Sequence, residues 1–405
     1  MNSKYDIIII GGGAAGFFTA INIVENNPNL NVAILERGKS VLEKVRISGG
    51  GRCNVTHDCF VPNDLVKFYP RGERELKGPF NQFCSGDTIE WFEKHGVELK
   101  IEEDGRMFPV SDSSETIIDC FMEAVKKLKI DVLTTHSVQE LYKTETHWKV
   151  TTTQDVFTCE NVVMATGSNP KIWELLQNLG HSIEEPVPSL FTFNVKDVRI
   201  KELMGIATPA TVKVKKSKLE ASGPLLITHW GLSGPGILRL SAWGARELAD
   251  KKYHFAIMVN WLNEMSFDEV IEALKESKEE NAKKSVLKYP QFELPKRLWE
   301  NLVKAAGILE ETKWADLNKV QLNALTEQLT NGEYQVNGKS TFKEEFVTAG
   351  GIQLKEVNFK TMESKLLPNL YFAGEILNID AITGGFNFQN AWTGGFIVAE
   401  SIAKK

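Results

Sequence analysis

The chain has 405 residues, 42% hydrophobic and 25% charged, the balance of a globular protein long enough for two or three domains. Its 47 basic and 53 acidic side chains leave a formal charge of −6, so it has no chain-wide footprint for phosphate backbones; nucleic acid is a disfavoured partner, with a local basic patch still open. Cys53, Cys59, Cys84, Cys120 and Cys159 form no C-x-x-C, which fits a reducing cytoplasm, and no apolar run reaches membrane-spanning length.

Lys4 and Asp6 precede only four isoleucines, so Ile7–Ile10 reads as a buried parallel strand and not as a signal peptide. The strand runs into Gly11-Gly12-Gly13-Ala14-Ala15-Gly16, a Gly-x-Gly-x-x-Gly that opens a helix through Val24. Gly11 permits the turn, Gly13 lets backbone approach a pyrophosphate, and Gly16 allows close helix–strand packing; the helix start at Ala14 and Ala15 then points N–H groups at phosphate. The next strand, Val32–Leu35, ends in Glu36, and 36 − 16 = 20 is the spacing that brings a carboxylate to the adenosine ribose. Arg37 either stacks on adenine or sits in water.

Lys44–Asn54 is glycine-dense and basic, unlike a strand or helix interior, and reads as a loop that something approaches closely. Capping boxes at Asp87/Glu90 and Asp112/Glu115 predict two helices, the second with an apolar face of Ile117, Ile118, Phe121, Met122, Val125 and Leu128. Strand-like runs follow at 131–135, 138–143, 147–153 and 161–165, the last leading into Ala165-Thr166-Gly167.

Phe191–Val195 and Thr211–Lys215 alternate as strands of a β domain. A Ser266/Glu269 capping box opens a charged helical stretch, with Pro295 placed for a first helical turn and Gly307 for a stop. The Lys/Glu run at 275–284 reads as a solvated helix face. From Phe346 the writing is again glycine-rich and apolar: Val347–Ile352, then Leu370 to Gly374-Glu375, then Gly384-Gly385-Phe386 opening a terminal helix. That last turn is a second place where backbone N–H groups meet an anion or a polarised carbonyl. The domains expected are thus 1–189 with 349–405, a β-rich 190–262 with 331–348, and a helical 263–330.

The Gly-rich strand–helix with Glu36, the Ala165-Thr166-Gly167 strand end and Tyr371-Phe372-Ala373-Gly374-Glu375 together resemble the FAD-binding halves of glutathione-reductase-like flavoproteins. Ser48–Thr56, Thr228–Pro235, Val347–Ile352, Thr361–Lys365 and Gly384–Trp392 resemble, more narrowly, a bacterial family of NAD(P)/FAD-dependent oxidoreductases that includes dehydro-bile-acid reductases and aminoacetone oxidases. The resemblance spans essentially the whole chain. It implies an α/β, Rossmann-like FAD-binding domain of glutathione-reductase type, discontinuous, with inserted β-barrel-like and helical domains.

The same resemblance places Lys44, Arg46, Gly49, Gly50, Arg52 and Asn54 along the cofactor, with Val138 as a further cofactor-binding residue. Glu375 stands where many related flavoproteins carry Asp for the ribitol hydroxyls, and Asn378 stands where an acid is expected, leaving Asp380 to take part of that role. Gly385, Phe386, Asn387, Phe388 and Gln389 open the last helix, whose positive end stabilises negative charge on a reduced flavin.

His229 is the candidate acid/base, because imidazole titrates near neutrality, with a histidine that merely hydrogen-bonds its loop as the equally open alternative. Ser233 is a weaker substrate-facing candidate. Cys53, His57 and Cys59 lack a further ligand cluster for zinc, so no metal is expected, and Cys53 reads as an unreactive cavity residue. The function expected is hydride transfer between a small organic substrate and flavin N5. NAD(P)H is a candidate donor, although the middle of the chain lacks a second Gly-x-Gly-x-x-Gly. An oxygen-using amine oxidase, a flavin-dependent tRNA-modifying protein and a non-catalytic flavin binder are the alternatives.

Overall fold

Four consecutive isoleucines with no polar break belong in the middle of a sheet covered on both faces. In the computed structural model, which describes residues 2–340 and 347–404, Ile7–Ile10 is such a strand, buried at every position. Met1–Val187 with Lys343–Lys405 forms one compact unit and Pro188–Phe342 a second. Phe346, where the glycine-rich return begins, and 341–345 at the end of the expected β-rich segment lie outside the described residues.

In the first unit seven strands run in the order Val357–Asn358, Glu363–Ser364, Leu370–Phe372, Asn161–Met164, Ile7–Ile10, Val32–Leu35, Asp131–Leu133. The five from Leu370–Phe372 onward are parallel, with Ile10 opposite both Met164 and Leu35; the other two are short antiparallel additions. Parallel pairing puts all carboxyl ends on one side, the side where open α/β sheets bind ligands. Four glycine-bearing turns gather there: Gly11–Gly16, Glu36–Gly38, Ala165–Gly167 and Gly374–Glu375.

Two helices cover this sheet and touch each other, Ala14–Asn26 and Phe386–Ala403. Glycine makes the contact possible, because a Cβ on Gly395 would lie 2.8 Å from Thr19 Oγ1 and 3.3 Å from Ala15 O. Beside this contact Phe18, Trp91, Phe92, Phe121 and Trp392 pack as a cluster of tilted rings, with Phe18 and Trp91 centroids 4.6 Å apart.

The second unit is a closed six-stranded barrel in the order Thr192–Val195, Gly231–Ser233, Glu220–Ile227, Ala207–Val214, His254–Asn260, Gly332–Ser340. Alternating burial along Ala207–Val214 is the signature of strands with one face inward. Helices Phe267–Glu280, Lys296–Ala305 and Lys319–Thr330 share the core of the barrel, where Leu274, Trp299, Trp314 and Leu325 belong to one buried cluster with Val212, Ile257 and Tyr334.

Several local expectations shift by a residue or more. Asp87 is not a cap: it is the third helical residue of Ser85–Lys94 and receives the N–H of the capping Cys84 at 2.7 Å. Ser113, not Asp112, caps Ser114–Lys127, because Asp112 is drawn into ion pairs with Lys100 and Arg52. On that helix Met122 faces solvent and Leu128 is half-buried, since both lie at the margin of the apolar stripe. Glu43–Ile47 is helical where a loop was expected; the helix breaks at Ser48, and Gly49 and Gly50 take positive φ. Ser266 with Glu269, and Gly307 at φ 73° after Lys296–Ala305, fall where the spacing predicts; Pro295 precedes the first helical residue as its cap.

Candidate functional site

Gly11 has φ 116°, and a Cβ there would come within 2.3 Å of Ala165 O, so the turn after Ile7–Ile10 admits no side chain. A Cβ on Gly16 would meet Gly11 O at 2.0 Å. Gly13 differs: a Cβ there would have no heavy atom within 4 Å, which leaves open space beside the helix start. Gly13 caps the helix without any capping side chain, so the N–H groups of Ala14, Ala15 and Gly16 are not taken by one. Open space, absent Cβ and first-turn N–H groups together make an anion cradle.

Glu36 sits at the edge of this cradle with its position fixed by backbone. Its Oε2 accepts the Gly12 N–H at 2.9 Å and its Oε1 the Gly38 N–H at 2.7 Å, which locks the carboxylate beside the fingerprint turn. Arg37 next to it is exposed. His136 N–H bonds Glu36 O, which draws the segment leading to Val138 alongside. Lys44 Nζ and Glu375 Oε2 pair at 2.6 Å, and a Cβ on Gly167, at φ 61°, would lie 3.8 Å from that same oxygen. Ala165, Thr166, Gly167, Gly374 and Glu375 are thus assembled with the fingerprint of Gly11–Gly16. Gly374, at φ 76°, lies against Ala15 and Ala391 of the two helices.

Two basic side chains of the expected cofactor loop have carboxylate partners. Arg46 pairs with Glu115, and Arg52 with Glu102 at 2.5 Å while covering the Phe108 ring at 3.9 Å. Gly49 and Gly50 carry the loop past Asn54; with its amide oriented to match its neighbours, Asn54 accepts the Gly385 N–H and donates to Thr56 O, both at 3.0 Å. Cys53 is fully buried and burial pushes its thiol up to about 12, which makes it inert as a nucleophile.

At the last helix the side chains turn inward and leave the backbone to face out. Gln389 is buried: its Oε1 accepts from Thr56 at 2.6 Å and Thr88 at 2.9 Å, and its Nε2 donates to Thr393. Asn387 holds Ala381 through N–H and C=O, Phe388 stacks on Trp392, and buried Phe386 clusters with Phe68 and His57. Gly385 cannot be anything else, since a Cβ would lie 2.5 Å from Thr56 O. Asp380 is fully buried and joined to Arg71 by two charge-assisted bonds. Arg71 and Tyr69 (its hydroxyl 2.5 Å from Phe386 O) escape sequence reasoning because nothing local in Tyr69-Pro70-Arg71-Gly72 marks them, and His57, weighed in the sequence only as a metal ligand, stacks on Phe386. Burial outweighs nearby Asp58 in lowering the His57 pKa, so the ring is neutral near pH 7.

In the second unit His229 is exposed and lines an open depression of about 520 Å³ with Lys196, Asp197, Val198, Met204 and Thr228. Ser233 lies on Gly231–Ser233, its Oγ accepting from Thr192 Oγ1 at 2.9 Å.

A family model described as the HI0933-like protein Rossmann domain matches residues 5–401. The chain belongs to this family. It is 28% identical over 411 aligned positions to the ribosomal RNA dihydrouridine synthase of Escherichia coli K12, covering 98% of each chain. It is 25% identical to the 3-dehydro-bile acid delta(4,6)-reductase of Clostridium scindens, again over 98% of each. Among solved structures it matches a 3-ketosteroid-delta4-(5alpha)-dehydrogenase from Rhodococcus jostii with TM-score 0.52 and 14% identity, covering 100% of this chain and 97% of that one. The fold is therefore the Rossmann-like FAD-binding fold with a six-stranded barrel, and the protein is a flavoprotein oxidoreductase by family. Among the described residues no helix is long and apolar enough to cross a membrane.

Proposed function

We propose that this protein is an FAD-dependent reductase that saturates a carbon–carbon double bond conjugated to a carbonyl, with the uracil ring of ribosomal RNA as its substrate class. The observation that carries the reading is full-length similarity: 28% identity across 98% of both chains to a protein named for making dihydrouridine. Uracil presents a C5=C6 bond conjugated to the C4 carbonyl, and a 3-oxo Δ4,6 steroid presents the same electronic unit, so one chemistry unites this relative with the Clostridium scindens reductase.

Saturation adds a hydride at the carbon remote from the carbonyl and a proton at the adjacent carbon. FAD held in the cradle would supply the two-electron chemistry, with a dihydronicotinamide as the proposed donor. The chain's own residues would hold and polarise. The first-turn N–H groups at Ala14–Gly16 would take the pyrophosphate, Glu36 would accept the ribose hydroxyls, and the Lys44–Glu375 pair would contact the cofactor between its two ends. The N-terminal end of Phe386–Ala403 opposes negative charge through backbone alone, because Asn387 and Gln389 are committed internally. His229 is the proposed proton donor, exposed and, among the described residues, without a hydrogen bond that fixes its ring.

A second reading has the Clostridium scindens relative behind it: a free enone of steroid size as substrate. One experiment separates the two. The protein is reduced anaerobically, then mixed with unmodified protein-free ribosomal RNA or with a 3-oxo Δ4 steroid, and return of the oxidised flavin spectrum is followed. Reoxidation by RNA with dihydrouridine in the product supports the first reading; reoxidation by the steroid alone replaces it with the second. Reoxidation by neither removes both, and His229→Ala should slow this step while leaving flavin reduction unchanged.

A further inference from the structure

The chain is acidic overall, yet the barrel gathers lysines at one end. The hairpin between Ala207–Val214 and Glu220–Ile227 carries Lys215, Lys216 and Lys218, and Lys215 N–H bonds Ala256 O at 2.9 Å, which seats the hairpin tip beside the start of His254–Asn260. The turn just before that strand carries Lys251 and Lys252. Gly338 N–H reaches Tyr253 O at 2.8 Å, so Lys339 joins the same end, its ammonium 5.0 Å from the Tyr253 ring centre. Three segments far apart in sequence thus present one basic surface.

The carboxylates here cancel only part of that charge. Lys215 pairs with Glu333 at 2.5 Å and Lys251 with Glu247 at 3.1 Å. Lys216, Lys218 and Lys252 are exposed and, among the described residues, have no carboxylate partner. An exposed aromatic residue lies next in the chain to a backbone contact of the hairpin. Gly244 lies against Leu219 of the hairpin, where a Cβ would be 2.7 Å from its Cδ1, and Trp243 immediately before it is 45% exposed. Exposed lysines and a nearby exposed indole together suit a ligand with both phosphates and flat rings.

We infer that this end of the barrel is an RNA docking surface, with Lys216, Lys218 and Lys252 contacting phosphates and Trp243 stacking on an unpaired base. The inference rests on the uracil-reductase reading and adds where the RNA is held. Single-stranded or looped RNA is the form that fits, because only unstacked bases reach an indole face.

The test uses the full-length, FAD-loaded protein and a fluorescently labelled single-stranded RNA drawn from ribosomal sequence, with anisotropy read from 50 to 300 mM salt. Three phosphate contacts predict that the Lys216→Gln/Lys218→Gln/Lys252→Gln variant loses about 2 from the slope of log affinity against log salt, and about 10- to 100-fold in affinity at low salt. Trp243→Ala should weaken binding about tenfold or more with the slope unchanged. Parent-like binding by both variants overturns the surface, as does failure of the parent to bind RNA. Binding to vesicles containing phosphatidylglycerol that RNA does not compete overturns it in favour of a lipid surface. Dihydrouridine formation is measured on the same proteins. Lysine-dependent RNA binding without product leaves the surface standing and removes the reductase reading; product with lysine-independent binding does the reverse.

Discussion

Replacing Glu36 with alanine removes two interactions at once, and their sizes can be set from geometry. The carboxylate accepts the Gly12 N–H at 2.9 Å and the Gly38 N–H at 2.7 Å, both short enough for charge-assisted bonds. Such bonds contribute about 1.5–3 kcal/mol each, and partial exposure of Glu36 argues for the low end, so the protein without cofactor should lose about 2–3 kcal/mol. Cofactor binding then loses the ribose contact as well. A further 1.5–3 kcal/mol corresponds to about a 10- to 100-fold rise in the FAD Kd. Glu36→Gln keeps one acceptor oxygen but turns an NH₂ toward the other N–H, so it should fall between the parent and alanine. The assay is reconstitution of stripped protein with FAD, followed by quenching of flavin fluorescence, with amide exchange at Gly12 and Gly38 read in parallel. A folded Glu36→Ala protein that binds FAD within about threefold of the parent would refute the ribose role. Unchanged amide protection would separately refute the loop-locking role.

Three further outcomes follow from the packing. Arg71→Leu deprives the fully buried Asp380 carboxylate of its cation and should cost about 3–5 kcal/mol in urea unfolding, while the Arg71→Leu/Asp380→Leu pair should recover most of it; equal losses in the single and double variants would contradict the pairing. Gly395→Val forces its side chain against Thr19 Oγ1 and Ala15 O, so it should cost at least about 1–3 kcal/mol and lower FAD retention, and an unchanged Tm would show that the helices can part freely. His181 is buried between Glu356 at 3.0 Å and Ser364 at 3.1 Å, and burial holds its pKa below the ordinary 6.5 despite the carboxylate. The unfolded chain therefore binds a proton first as pH falls. The stability from the neutral ring is complete above about 6.5 and drains below it toward the lower folded value, so His181→Gln should flatten the stability profile between pH 7 and 5, and a parallel profile would exclude the role.

The cofactor half of the protein was legible because its signals are local and redundant. A buried strand, three glycines and an acid at fixed spacing specify the Gly11–Gly16 turn and Glu36; contacts at 2.3 and 2.0 Å enforce Gly11 and Gly16, while Gly13 borders open space. The family resemblance extended this to Gly374, Glu375 and Gly385. Less legible was which side chains at the last helix face outward. Asn387 and Gln389 are polar, lie at a helix start and look like ligands, yet Gln389 is spent on Thr56, Thr88 and Thr393, residues that the fold brings from positions about 300 apart or from one turn ahead. Arg46 and Arg52 likewise have partners that their own segment does not announce, since Glu115 and Glu102 reach them only once the helix Ser114–Lys127 and the strand Leu99–Ile101 are in place.

Net charge is a poor guide to a partner for a reason of length scale. At physiological salt an exposed charge is felt over roughly 8 Å, so a phosphate group senses the side chains around its docking point and not the −6 of the whole chain. The stretch Lys213-Val214-Lys215-Lys216-Ser217-Lys218 already shows part of this in sequence, as a strand whose outward positions are basic. What sequence could not supply was the addition of Lys252 and Lys339, which depends on strand order: His254–Asn260 lies between Ala207–Val214 and Gly332–Ser340, and that order makes neighbours of residues 216, 252 and 339. A variant in which Lys216, Lys218 and Lys252 are neutralised changes the net charge only from −6 to −9, a step a whole-chain argument would treat as minor, whereas a local one predicts loss of most of the RNA affinity. Placing three neutralised lysines instead on exposed positions in or next to the helices, at Lys275, Lys283 and Lys304, gives the same net charge and should leave RNA binding nearly intact. If the two triple variants weaken binding equally, the whole-chain field is the operative quantity and the basic end of the barrel has no special role.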